Sequence, residues 1–175
     1  MKVTLENHRW WNYIHDDLKE LLKQSFLLMK LVERDEKELS PGSRKFHDYA
    51  FVIFPAAKAY EGFLKTLFHD MGFISDEEYF GKRFRIGKAL NPALENHLRE
   101  KESVYDKLTS FCQGNELPNA LWETWKKGRN LLFHWFPNEK NAIDFLEAKN
   151  IFQEITDTMD LAFEECKINK ESDNA

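Results

Sequence analysis

Glycine and proline interrupt this chain rarely, seven and five times in 175 residues. Few turns mean long elements, and long elements with apolar residues at three- and four-residue steps are helices. No stretch shows the apolar–polar alternation of a half-buried strand. With 42% apolar and 31% charged residues, the chain can bury a core and still be soluble. Fifteen phenylalanines and five tryptophans make that core aromatic. The expectation is one all-α domain over residues 1–168: a bundle of four to five long helices with short helical inserts, then a polar tail over 169–175.

Residues 6–34 carry Trp10, Tyr13, Ile14, Leu18, Leu21, Leu22, Phe26 and Met29 at helical spacing. Ser40-Pro41-Gly42-Ser43 is a turn. A second helix is expected from Arg44 to Met71, closed by Gly72, with Pro55 either kinking it or marking its start. It is apolar on most sides and therefore central. Ser75 and Glu78 form a capping-box pair that starts a short helix near Asp76. Further helical pieces are expected from Asn91-Pro92 to Arg99 and over 103–112, the latter closed near Gly114. Pro118 suits the first turn of the next helix. Asn141 is expected to cap the last helix, over 142–167.

The net charge of −5 gives no overall basic field for nucleic acid, so any such contact needs a local patch. The densest basic run is Lys82, Arg83, Arg85 and Lys88. It is either a phosphate-facing patch or a solvated edge. Cys112 and Cys166 have neither the spacing of a zinc site nor the number for a disulfide scaffold. Acidic residues are scattered and histidines isolated, so no metal and no cofactor are expected. No signal peptide or membrane span is visible, which leads to a cytoplasmic expectation. Within the central helix, Lys58, Glu61, Lys65 and His69 form one narrow polar stripe. That stripe is either a solvated edge or the border of a site.

The segment Trp125-Lys126-Lys127-Gly128-Arg129-Asn130-Leu131-Leu132-Phe133-His134-Trp135-Phe136-Pro137 holds the one cluster that reads as chemistry. On a helical wheel over 119–136, Leu121, Trp125, Gly128, Leu132 and Trp135 share the core face. Asn130 and His134 share the opposite face, with Lys127 near them and Arg129 at the margin. A second copy packed on that face would bring two such pairs together, with Trp122 and Phe133 as its apolar component. Histidine exchanges protons near neutrality. Arginine matches phosphate oxygens in bidentate fashion, and asparagine can orient an imidazole or bind phosphate. This set suits cleavage of RNA by attack of the ribose 2′-hydroxyl on the adjacent phosphorus.

Arg129-Asn130-Leu131-Leu132-Phe133-His134 resembles the signature of the HEPN superfamily: an arginine, four to six residues, then a histidine, in the penultimate long helix of an all-α bundle. Pro55 to Lys65 is similar, more loosely, to a central helix of the HEPN toxin domain in ribonuclease LS-type toxins. The resemblance implies a HEPN-like bundle forming a homodimer with a composite cleft. It implies metal-independent endoribonuclease activity, in a toxin or phage-defence component held in check by an antitoxin protein. Arg129, Asn130 and His134 would be catalytic, with Glu61 and Lys65 secondary. Lys126, Lys127, Lys82, Arg83 and Arg85 would attract RNA. Some HEPN toxins place a tyrosine two residues after the histidine, where it is adenylylated; here that residue is Phe136, which lacks the hydroxyl. The alternative is a HEPN-like module without catalysis that binds nucleic acid, a nucleotide or a partner protein.

Overall fold

A computed structural model describes residues 4–37, 45–135, 137 and 141–168. Among these residues there are helices and turns and no strand, so the chain is an all-α bundle. Three helices are about twenty residues long: α1 (Asp16–Glu36), α2 (Ala50–Asp70) and α8 (Phe145–Phe163). Between α2 and α8 come α3 (Asp76–Phe80), α4 (Ile86–Ala89), α5 (Asn96–Glu102), α6 (Val104–Cys112) and α7 (Glu116–Trp125). The Ser40–Ser43 turn and the tail 169–175 lie outside the described residues.

The central rod is α2. It packs along α1 and α8 and touches α3, α4 and α7. Val52, Ile53, Ala56, Ala59, Phe63, Leu64, Leu67 and Phe68 are fully buried on its several sides. Each such large side chain contributes roughly 1.5–3 kcal/mol by leaving water. The fit to α1 is tight at Gly62, where a Cβ would lie 2.6 Å from Leu18. Pro55 sits inside α2 rather than at its start. Proline disturbs the hydrogen-bond ladder, and here the buried Ser25 hydroxyl of α1 accepts from the Ala56 N–H at 2.8 Å. The helix closes where Gly72 takes a φ of +70°. One edge of α2 stays open, along Phe51, Phe54 and Lys58, and partly open at Glu61, Lys65 and His69. The polar stripe is therefore real, and two exposed phenylalanines extend it.

Several helix ends differ from the sequence expectation. Residues 6–15 do not join α1; they form two 3-10 turns, Leu5–Asn7 and Arg9–Asn12. Adjacent Trp10 and Trp11 are both buried there, whereas neighbours on a regular helix point about 100° apart. Asp16 and Asp17 then open α1, where acidic residues suit the positive end of the helix dipole. α2 begins at Ala50 rather than Arg44, with Asp48 accepting from the Ala50 N–H at 2.9 Å. The segment after Asn91-Pro92 is a turn, and α5 starts only at Asn96. α6 covers Val104–Cys112, close to the expected 103–112, and closes beside Gly114 with Gln113 in the left-handed conformation. The capping box of Ser75 and Glu78 forms as its sequence implies. A second box, Asp144 with Glu147, starts α8, so Asn141 is not the cap.

Candidate functional site

α7 is fixed to the two helices that flank it. The Tyr60 hydroxyl of α2 donates to the Leu121 carbonyl at 3.1 Å. Burial keeps that phenol protonated, far above its ordinary range. The hydroxyls of Thr124 and Thr158 meet at 2.8 Å between α7 and α8, both buried. From this anchored rod the chain passes into a π-turn, Lys126–Asn130. Gly128 is buried at its centre, and a Cβ there would meet Ile155 at 3.3 Å. Such one-turn widenings recur at functional sites because they re-aim the residues that follow.

The helical wheel through 119–136 is therefore corrected. Regular helix ends at Trp125 and the π-turn at Asn130, so Asn130 and His134 do not share a helix face. Trp135, expected on the core face, is 81% exposed, whereas Leu121, Gly128 and Leu132 are buried as the wheel has them. Trp122 stacks on Trp125 within the chain, and Phe133 meets Phe54 edge-on. Phe136 lies outside the described residues.

Arg129 is brought to the open edge of α2. Its Nε donates to Glu61 Oε2 at 2.9 Å, across 68 residues of sequence, with both side chains more than a third exposed. A carboxylate on Nε fixes the plane of the guanidinium. The two terminal amino groups carry four more N–H donors, in a fork that matches a phosphate. The notch beside this pair has a volume of about 350 Å³ and is lined by Phe54, Ala57, Lys58, Glu61, Arg129 and Phe133. Of the two secondary candidates, Glu61 joins Arg129. Lys65 turns instead toward the end of α3, donating to the Gly81 carbonyl at 3.2 Å and lying over the Tyr79 ring.

His134 is exposed beyond the helix end, yet its segment is held. The Asn141 side-chain amide donates to the Leu131 carbonyl at 2.9 Å and also to the His134 carbonyl. Two residues on, the Ile143 N–H donates to Asp48 at 3.2 Å, and the Ile143 carbonyl accepts from Tyr49 N–H at 3.0 Å. The stretch 141–143 thus ties the His134 segment to the start of α2. Sequence reasoning gave Asn141 another task; the signal against it was the stronger Asp144-x-x-Glu147 box just downstream.

Two of the basic candidates face acids. Lys127 bonds Glu154 at 2.9 Å, and Lys126 lies 4.0 Å from Glu123. Arg83 and Arg85 line a separate groove with Lys88, Glu78 and Glu102. Arg85 donates to the Lys82 and Phe84 carbonyls, and Lys88 pairs with Glu102. That groove is one step from the motif helix, because Gly87 of α4 abuts the Trp125 ring. Among the described residues no group of three or more His, Cys, Asp or Glu side chains is placed to hold a metal ion, and no helix is long and apolar enough to cross a membrane.

No family model, curated protein or solved structure matches the chain.

Proposed function

We propose that the chain is a metal-independent endoribonuclease of HEPN type that works as a homodimer in the cytoplasm, as a toxin or phage-defence component restrained by an antitoxin protein. The observation that carries this reading is the Arg129–Glu61 pair. It holds the first residue of the Arg-x4-His motif with its amino groups available, while His134 follows on an exposed, tethered segment. One protomer offers one such histidine, and a second copy facing it supplies the other wall of the cleft.

In the reaction the 2′-oxygen attacks the adjacent phosphorus. The new O–P bond forms as the bond to the 5′-oxygen breaks, leaving a 2′,3′-cyclic phosphate and a 5′-hydroxyl. One His134 takes the 2′-hydroxyl proton, and its partner copy protonates the leaving oxygen. The Arg129 guanidinium neutralises charge that grows on the phosphoryl oxygens. Glu61 positions Arg129, and Asn130 sits between the two motif residues to bind phosphate or orient the imidazole.

The test is cleavage of single-stranded RNA in the presence of chelator by wild type, Arg129→Ala and His134→Ala. Both variants are expected to lose cleavage by at least 100-fold, and a 2′-deoxy substrate is expected to stay intact. Equal cutting by all three proteins sinks the assignment. A second reading draws on the acid-paired basic residues and on exposed Phe51, Phe54, Leu131 and Trp135. On that reading the domain is a HEPN-like module that binds a partner through this apolar edge without catalysis. RNA left intact by wild type, with a partner retained through Trp135, favours it.

A further inference from the structure

We propose that the notch beside Arg129 is a nucleobase site selective for guanine, with Glu61 as the residue that discriminates. Its placement next to a cleaved phosphate rests on the ribonuclease reading above; binding of the base does not.

The apolar walls come first. Phe54 is 54% exposed, on a helix whose other large apolar residues are mostly buried. Its ring meets Phe133 at 5.3 Å with 82° between the planes. Two perpendicular rings make a corner, a floor and a side wall. A flat heteroaromatic ring fills such a corner by stacking on one face and laying its edge on the other. Ala57, the next lining residue on α2, is too small to fill the floor itself. The volume of about 350 Å³ lies at the lower end of small-molecule sites, roughly 300–1,000 Å³.

The polar groups then choose the base. An ionised carboxylate only accepts, with about four lone-pair positions on its two oxygens. Glu61 uses one of them for Arg129 Nε. Guanine presents N1–H and N2–H side by side, two parallel donors that a carboxylate matches. Adenine and cytosine put a ring-nitrogen lone pair beside their amino group, and uracil flanks N3–H with two carbonyls. Each of those edges sets an acceptor against the carboxylate. One terminal amino group of Arg129 adds a donor directly beside the acceptor, which leaves the other for the phosphate. That order complements guanine O6 next to N1–H, and arginine is also a partner for guanine acceptors in nucleic-acid recognition generally. Lys58 on the rim supplies positive charge for the attached phosphate. A wrong base sets an acceptor against the Glu61 carboxylate and loses both bonds. With Glu61 and Arg129 each more than a third exposed, water softens that penalty, and the preference for guanine is on the order of tenfold.

The experiment uses the full chain with chelator present and measures binding of GMP, AMP, CMP and UMP by calorimetry. GMP is expected to bind at least tenfold more tightly than UMP. Glu61→Gln keeps the size but turns one acceptor into a donor, and is expected to remove that preference. Phe54→Ala is expected to weaken all four nucleotides alike, and a circular dichroism spectrum confirms that each variant is folded. A 2′-O-methyl oligoribonucleotide with a single guanine, titrated against GMP, assigns the source. Tighter binding of the oligomer makes RNA the ligand, and tighter binding of GMP makes it a free nucleotide; either carries the site. Equal affinity for the four nucleotides, or a guanine preference that survives Glu61→Gln, overturns the proposal. Wild-type cleavage separates the two readings: a guanine preference in a wild-type protein that cuts no RNA leaves this site standing and removes the ribonuclease, whereas a guanine preference kept by His134→Ala while cleavage is lost supports both.

Discussion

Gly87→Ala adds one methyl group at the contact between α4 and the rod that carries the motif. The new Cβ would lie 2.1, 2.5 and 2.6 Å from three carbons of the Trp125 ring. Carbon atoms rest at about 3.5–4.0 Å, so the closest pair is short by more than 1 Å. The ring has little room to yield, because Trp122 stacks on it at 5.7 Å with planes 15° apart. Overfilling of this kind costs about 1–3 kcal/mol, and the better helix propensity of alanine returns at most about 1 kcal/mol. The expected net loss is about 1–2 kcal/mol. Urea denaturation followed by tryptophan fluorescence measures it. Gly114→Ala is the control, since its nearest neighbour is a backbone oxygen 4.0 Å away; its midpoint is expected to stay near wild type. Combining Gly87→Ala with Trp125→Phe removes the second party to the clash, so the pair is expected to cost less than the sum of the two. A Gly87→Ala protein as stable as wild type would refute the steric argument, as would strict additivity with Trp125→Phe.

Two further outcomes follow from hydrogen bonds already described. Thr124→Val or Thr158→Val alone leaves a buried hydroxyl without its partner and is expected to cost about 1–3 kcal/mol, whereas the double variant costs clearly less than the sum. Additive losses in urea unfolding would mean that each hydroxyl is served by its own helix instead. Asn141→Ala releases the Leu131 and His134 carbonyls. Under the proposed function it lowers the RNA cleavage rate by about tenfold or more while unfolding by less than about 1 kcal/mol more easily, because the bonds are exposed. Asn141→Asp, which has no amide donor, is expected to behave alike; wild-type rates in both would remove Asn141 from the site.

What could be read from the sequence was local. The Ser75–Glu78 box acts within four residues, and it forms. The stripe on α2 depends only on helical angle, and it is the open edge of that helix. The start of α1 was not legible, because burial of both Trp10 and Trp11 is decided by what they pack against rather than by periodicity. The π-turn was hidden for the same reason: its buried glycine answers to Ile151 and Ile155 on another helix. Glu61 was visible as a polar residue near the motif helix, but its bond to Arg129 spans the whole middle of the chain. Lys65, only one turn further along the same stripe, goes to α3 instead.

The end of the helix at Asn130 changes what the number of residues between arginine and histidine means. Along a helix each residue is an angle; past its end each residue is a length of cord. A residue inserted before Gly128 would swing Arg129 by about 100° away from Glu61. The same residue inserted between Phe133 and His134 would leave buried Leu132 and the Phe133–Phe54 contact in place and lengthen only the link between a fixed guanidinium and the tethered His134 backbone. In a lineage built on this plan, insertions and deletions would be filtered sharply on one side of Arg129 and loosely on the other. Arg129 is thus held by register, through Glu61, and His134 by reach, through Asn141.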